Sequence, residues 1–262
     1  MYRLVALPFL ELGMTVAIVG YRTYPDADVT GQVKDLCQAL SRLLEKFPCL
    51  FSSPQDGETC DFLGTVLIGH SSGAHLSLLM MVEYIQRQLS NSSSHGTLPS
   101  VFFDSVIGLS GPYNISQHFD FEAHRGVEEL SPMKPACGHT REEFKYHSPT
   151  FRLVQLCNTA ESSLLQPYNE YKHFMPSILL VHGMRDSTVP FTSTSDAAAL
   201  IKSCGTQRCD EIYIGAAGHQ DTVLHLMLDG STKTAVVKWI QLQKQRNEET
   251  KQTIEFVMAS KM

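Results

Sequence analysis

Residues 65–73 read Thr-Val-Leu-Ile-Gly-His-Ser-Ser-Gly, and the interpretation of the whole chain turns on them. A short apolar run ends in Gly69-His70-Ser71-Ser72-Gly73, and a strongly apolar segment of helical length follows over 72–88. A serine in a G-x-S-x-G pentapeptide of this kind sits on a strained strand-to-helix turn, which needs small residues two positions away on either side. There the Ser71 hydroxyl stands exposed, and the backbone N–H of Ser72 can point at an oxyanion. The pentapeptide is short, so the strand before it and the helix after it carry the argument. The alternative is a glycine-flanked tight turn without chemistry, which stands until partners for Ser71 are found.

The surrounding sequence alternates. Apolar, β-branched runs at 15–21, 65–69, 105–109, 177–182 and 210–214 are short and largely apolar, as expected for strands covered on both faces of a parallel sheet. Between the first two, residues 28–47 keep Val29, Val33, Leu36, Cys37, Leu40, Leu43, Leu44 and Phe47 on one helical face. Helices are also expected near 192–203 and 231–246, the last burying Val236, Val237, Trp239 and Ile240. This alternation implies a right-handed, mostly parallel α/β sheet. At the N-terminus, Pro8 and Glu11 interrupt the apolar run and no small-x-small cleavage site follows. We read that region as a short helix, a turn at Gly13 and then a buried strand. Residues 48–60 and 90–100 are polar loops, and 113–176 is a long excursion rich in proline and aromatics. An insertion of that length is usually functional, and here it would cover Ser71 as a cap over the substrate pocket.

Composition bounds the function. The chain has 262 residues, enough for one large α/β domain, with 43% hydrophobic and 18% charged residues. A net charge of −6 with no basic run argues against nucleic acid as a partner. No stretch reaches the roughly 18 apolar residues that a spanning helix needs. The cysteines, Cys37, Cys49, Cys60, Cys137, Cys157, Cys204 and Cys209, show no C-x-x-C spacing, so reduced thiols are expected rather than a metal site. Cys204 and Cys209 could close a small loop under oxidising conditions, but two unpaired thiols are the expectation. Asn91-Ser92-Ser93 and Asn114-Ile115-Ser116 match a glycosylation sequon that matters only in a secreted chain.

A serine hydroxyl needs a base, and the base needs an acid to orient it. In a sheet of this kind the order along the chain is serine, acid, histidine, each at the C-terminal end of a strand. The run ending at Val181 leads into His182-Gly183-Met184-Arg185-Asp186, and the next leads into Gly215-Ala216-Ala217-Gly218-His219. Asp186 and His219 therefore fall on consecutive strand ends of one sheet edge. Taken singly, Asp186 also reads as the N-cap of the turn at 187–189, and His219 as a turn histidine. His70 and His75 read as packing or helix residues, and His182 comes too early to be the base. Asp221 reads as a helix cap, and Asp104 lies on the opposite edge.

With these residues in hand, the chain resembles the α/β-hydrolase superfamily. It is most similar to the branch of isoprenylcysteine methylesterase-like carboxylesterases and kynurenine formamidases. Tyr21-Arg22-Thr23-Tyr24-Pro25, Gly69–Gly73, Gly108-Leu109-Ser110-Gly111-Pro112-Tyr113 and Ser131-Pro132-Met133-Lys134-Pro135-Ala136 carry the likeness, which runs over about 1–245. The resemblance implies an α/β-hydrolase domain over 1–246 with helices on both faces of its sheet, the 113–176 cap, and a tail over 247–262. It implies Ser71, Asp186 and His219 as the catalytic triad, Ser72 N–H in the oxyanion hole, and no metal or organic cofactor. It further implies a small-molecule or lipidated ester as substrate, a prenylated cysteine methyl ester among the candidates. Relatives of the methylesterase kind associate with membranes through segments ahead of the hydrolase domain, which implies a cytoplasmic or endoplasmic-reticulum setting for a longer form. One departure stands out. The family's H-G-G segment, which supplies a second oxyanion donor, is not here, since no two glycines are adjacent. The expected explanation is an N-terminal truncation that also removes the opening strands of the sheet. An arylformamidase, or a non-catalytic hydrolase-like binding protein, are the alternative readings.

Overall fold

Strands buried on both faces can be apolar at every position, and that is how the centre of the sheet is built. The computed structural model describes residues 2–48, 64–90, 103–162, 170–206 and 208–259. The expected loops at 48–60 and 90–100, with Cys49, Cys60 and the sequon at Asn91, lie essentially outside them. Two compact units make up the chain, one of Val19–Thr222 and one of Met1–Ile18 with Val223–Met262.

The first unit holds a four-stranded parallel sheet in the order β1 (Val66–His70), β2 (Ser105–Leu109), β3 (Ser177–Gly183) and β4 (Cys209–Ile214). β2 is buried throughout and β3 is buried from Ile178 onward. β1 is only half-buried, and β4 is half-buried over most of its length. Cover on both faces was expected for every run; it holds for the inner pair, whereas the two edge strands have a neighbour on one side only. The register runs Val66 to Ser105 to Ser177, then Ile178 to Cys209, so the C-terminal ends of the strands come out along one edge. Three bonds carry the ladders past those ends: Ser71 N–H donates to Leu109 O (2.8 Å), Ser110 N–H to Val181 O (2.9 Å) and Met184 N–H to Ile214 O (3.0 Å).

Of the helices in this unit, α2 (Val29–Lys46) starts where the Asp28 carboxylate accepts the Gly31 N–H at 2.8 Å, satisfying an otherwise orphaned donor. Val29, Val33 and Cys37 are buried, with Leu36, Leu40 and Leu44 packed against the same core. Phe47, placed by periodicity on that face, is the exposed C-cap residue instead. The helix following Ser71, α3 (Ser72–Ser90), buries Leu76, the run Leu78 to Val82 and Ile85, and packs on β1 and β2. The described residues of the 113–176 excursion are largely helical: α4 (Ile115–His124), α5 (Met133–Cys137), α6 (Arg141–Tyr146), α7 (Pro149–Ser162) and a 3-10 turn at Glu170–Phe174. Asn114, of the second sequon, caps α4 by accepting the Gln117 N–H at 3.2 Å. The helix α8 (Thr192–Ser203) then packs on β3 and β4.

Two expectations are corrected. Residues 14–23 form no strand among the described residues, and Ile18 is 53% exposed. β-branched composition favours an extended backbone, but a strand exists only where a partner ladder accepts it, and none of the described strands does so. In the second unit, a 3-10 turn (Tyr2–Ala6) leads to α1 (Leu7–Leu10), and the chain turns at Gly13 with φ of 77°. After α9 (Asp221–Met227), the final helix α10 runs from Ser231 to Ala259, well past the expected end near 246. Its buried Val236, Trp239 and Ile240 share one face, and Lys233 pairs with Glu11 at 3.1 Å. No helix of the described residues is long and apolar enough to cross a membrane.

One buried group makes stability depend on pH. His75 on α3 is enclosed, and its Nε2–H donates to the His147 carbonyl at 2.6 Å. Burial pushes its pKa down to about 4. The unfolded chain takes up this proton near pH 6.5, so between those values the unfolded state binds more protons and stability falls as pH falls. Lowering the pH from 7 to 5 is expected to remove about 2 kcal/mol through this residue. Urea unfolding at the two pH values checks it; a His75→Gln variant with the same pH dependence would refute the assignment.

Candidate active site

The pentapeptide folds as its glycines require. Ser71 is in the left-handed region with φ of 54°, a conformation that costs an L-residue about 1–3 kcal/mol and persists only where the surroundings impose it. Here the Ser71 N–H is held by Leu109 O, while its carbonyl accepts the N–H groups of Ala74 and His75 to start α3. A Cβ on Gly69 would lie 2.2 Å from the Gly73 carbonyl oxygen, so nothing larger than glycine fits beneath this turn.

The loops after β3 and β4 approach closely at another glycine, Gly183, where a Cβ would meet the Ala217 carbonyl at 2.3 Å. That contact, and the Arg185 N–H donating to Ala217 O at 2.9 Å, bring Asp186 beside His219. The result is one continuous chain of hydrogen bonds. His219 Nδ1 lies 2.7 Å from Asp186 Oδ2, and its Nε2 lies 2.9 Å from Ser71 Oγ. Because a carboxylate only accepts, Nδ1 carries the proton and Nε2 is left to accept the serine O–H. Ser71 is half-buried, the His219 side chain is 9% exposed and the Asp186 carboxylate is covered.

Asp186 fills both of the roles considered for it. Its Oδ1 accepts the N–H groups of Thr188 (2.8 Å) and Val189 (2.9 Å), as a turn cap would, and its Oδ2 faces His219. Burial works against its ionised form. The hydrogen bonds from His182, His219 and the Val189 N–H outweigh that and hold the carboxyl well below the usual range.

Four further residues support the site, and sequence reasoning assigned none of them a part. His182 is fully buried, and its Nε2 faces Val189 O (3.0 Å) and Asp186 Oδ2 (3.2 Å). Both are acceptors, so Nε2 carries the proton and Nδ1 accepts from the Thr194 hydroxyl at 2.8 Å. His182 is thus a second donor to the carboxylate; the i, i+4 spacing of His182 and Asp186 was the available signal. His70, at the end of β1, donates from Nε2 to the His219 carbonyl at 2.9 Å, and burial holds its pKa below the ordinary value. A neutral ring there keeps a second positive charge away from His219. The same carbonyl accepts from Thr222 Oγ1 (3.0 Å), which in turn accepts from Ser110 Oγ (3.0 Å). Ser110 is buried, with φ of 51°, inside a segment recognised only as part of a family likeness.

The remaining candidates fall elsewhere. Ser72 is exposed at the first position of α3, where a helix N–H has no partner within its own helix. Asp221 opens α9 and accepts the Gly218 N–H at 2.7 Å, steadying the turn before His219. Asp104 accepts the Thr65 N–H at 2.7 Å near the N-terminal ends of the strands, away from the site. Cys204 and Cys209 are buried thiols not joined in a disulfide, and burial pushes the Cys209 thiol up to about 12, too high for a nucleophile at neutral pH. Among the described residues, no group of histidine, cysteine and carboxylate side chains is arranged to hold a metal ion.

Comparison with known proteins places this geometry in context. The BD-FAE family model matches residues 1–200. The probable isoprenylcysteine alpha-carbonyl methylesterase of Oryza sativa subsp. japonica is 24% identical over 220 residues, covering 84% of this chain and 47% of its own length. The isoprenylcysteine alpha-carbonyl methylesterase of Arabidopsis thaliana is 25% identical over 227 residues, covering 87% and 48%. The chain therefore spans about half the length of these relatives. Among solved structures, esterase B from Lactobacillus rhamnosis superposes with a TM-score of 0.58 at 18% identity, over 89% of this chain and 67% of that one. A truncated carbohydrate esterase from gut microbiota gives 0.60 at 17% identity, over 92% and 78%.

Proposed function

The chain belongs to the BD-FAE family of α/β-hydrolases, and from that premise we propose that it is a serine hydrolase cleaving carboxylic esters through an acyl-enzyme on Ser71. The unbroken run Ser71–His219–Asp186 at three strand ends, with Ser71 held at positive φ, is the observation that carries the reading. In the first half-reaction, Ser71 Oγ attacks the ester carbonyl carbon while His219 Nε2 takes its proton. Asp186 keeps the imidazole in the accepting tautomer and offsets the charge that forms on it. The carbonyl oxygen becomes an oxyanion at the start of α3, where Ser72 N–H and the positive end of the helix favour negative charge. Collapse of this intermediate breaks the bond to the alkoxy oxygen, which leaves as the alcohol with the proton from His219. Water then attacks the acyl-enzyme by the same path, releasing the acid and restoring Ser71.

A prenylated cysteine methyl ester is the substrate this reading favours. The Ser131–Ala136 segment of the cap and the names of the rice and Arabidopsis relatives support it. A fluorophosphonate probe tests the core claim, since phosphonylation demands an activated serine. Labelling is expected at one site, Ser71, located by peptide mass, and is expected to vanish in Ser71→Ala. Label on another residue, or none on the folded protein, would sink the reading, and the second outcome favours a binding protein. Comparing N-acetyl-S-farnesylcysteine methyl ester with N-acetylmethionine methyl ester tests the substrate. Equal kcat/KM for the two would remove the prenyl group from the proposal and leave the esterase.

A further inference from the structure

The pentapeptide supplies one oxyanion donor, the Ser72 N–H, and hydrolases of this type rely on more than one. A second source lies beside it. Tyr21 comes from a separate stretch of chain, and its hydroxyl is 2.8 Å from Ser72 Oγ. The same hydroxyl lies 4.0 Å from where a Cβ on Gly73 would stand, so it overlies the first turn of α3. The residue after Tyr21 is firmly tied. Arg22 Nη2 and Nε donate to the two oxygens of Asp35 at 2.7 and 2.9 Å, and the Arg22 N–H donates to Asp35 Oδ2 at 3.0 Å. Asp35 belongs to α2, so the Tyr21 hydroxyl is placed by an anchored backbone and by a ring packed against the core.

Proton counting then defines what this pair can do. Two hydroxyls within hydrogen-bond distance hold two protons and use one between them, which leaves one O–H to donate elsewhere. The phenol is the more acidic of the two and the better donor to a developing anion. With Ser72 Oγ–H donating to the phenolic oxygen, the Tyr21 O–H is both polarised and free. We propose that Tyr21 is a second oxyanion-hole donor in this chain, with the Ser72 side chain orienting it. The proposal rests on Ser71 being the acylated residue, as argued above. It assigns Ser72 two tasks: its backbone donates to the oxyanion directly, and its side chain holds the other donor.

Tyr21→Phe keeps the ring and removes the hydroxyl. It is expected to lower kcat for p-nitrophenyl acetate by about 10²-fold, as loss of one oxyanion donor does, with KM within about twofold. The dissociation constant of an alkyl trifluoromethyl ketone, which binds as a tetrahedral oxyanion on the serine, is expected to rise by the same factor. Ser72→Ala is expected to cost about tenfold, the worth of one orienting hydrogen bond. The double variant should be no slower than Tyr21→Phe alone. Tyr24→Phe, on an exposed tyrosine of the same segment, serves as the control and should match the parent. End-point fluorophosphonate labelling and thermal melting confirm that each variant is folded. Parental kcat and ketone affinity in folded Tyr21→Phe would overturn the proposal, as would losses in the two single variants that multiply in the double. If Ser71→Ala keeps the parental rate, the acyl-enzyme reading itself fails; if only Tyr21→Phe does, the donor assignment alone is wrong.

Discussion

His219→Ala is expected to reduce kcat toward p-nitrophenyl esters by about 10⁶-fold, and adding Ser71→Ala to it should cost almost nothing more. An alkyl hydroxyl at neutral pH is a very weak nucleophile until a base takes its proton as the bond to carbon forms. In this chain the base in reach is His219 Nε2, 2.9 Å from Ser71 Oγ. Removing the imidazole removes the base of the attack and also the acid that protonates the leaving alcohol. Both residues serve one step, so their effects do not add, and the double variant should settle at the slow rate left by binding and the oxyanion donors. Single-turnover rates with a chromogenic ester, set against the same ester in buffer, provide the measurement. A His219→Ala enzyme within about 10²-fold of the parent would mean that another group activates the serine.

What the sequence could disclose depended on how local each cause was. The β2 run at 105–109 matched its strand to the residue, and the other inner run came within one, because a fully covered strand writes its burial into consecutive apolar residues. The distal ladder ends were legible for the same reason, so Ser71, Asp186 and His219 could be assigned to one edge of the sheet before any geometry was known. Residues 15–21 carried the same composition, yet a strand also needs a neighbour, and that is not a property of the segment. The end of α10 was misplaced because the apolar spacing stops at the polar run Asn247-Glu248-Glu249-Thr250-Lys251-Gln252-Thr253, although Glu, Lys and Gln are good helix formers. His70 shows the other limit. Its ring meets the His219 carbonyl across 149 positions of sequence, and nothing near residue 70 announces that contact. Ser110 and Thr222 were silent for the same reason, being 112 positions apart.

Asp186→Asn is expected to lower kcat by about 10⁴-fold while leaving the fold in place, and the reason lies in which oxygen faces which donors. Asp186 Oδ1 accepts two backbone N–H groups, from Thr188 and Val189, while Oδ2 accepts from the His219 and His182 rings. Asparagine has one carbonyl for these two sides. If it keeps the backbone pair, its NH₂ group faces two ring N–H donors. His219 then relieves the clash by moving its proton to Nε2, where it can no longer accept from Ser71. If the amide turns the other way, the Thr188 and Val189 N–H groups lose their acceptor, and the second of these, on a buried residue, costs about 1–3 kcal/mol. The first arrangement is therefore favoured and gives a folded enzyme with the wrong tautomer. Thermal melting separates this from general damage: Asp186→Asn should show the rate loss with a melting temperature near the parent's. A loss of less than about tenfold in the folded variant would show that Asp186 does not orient the base.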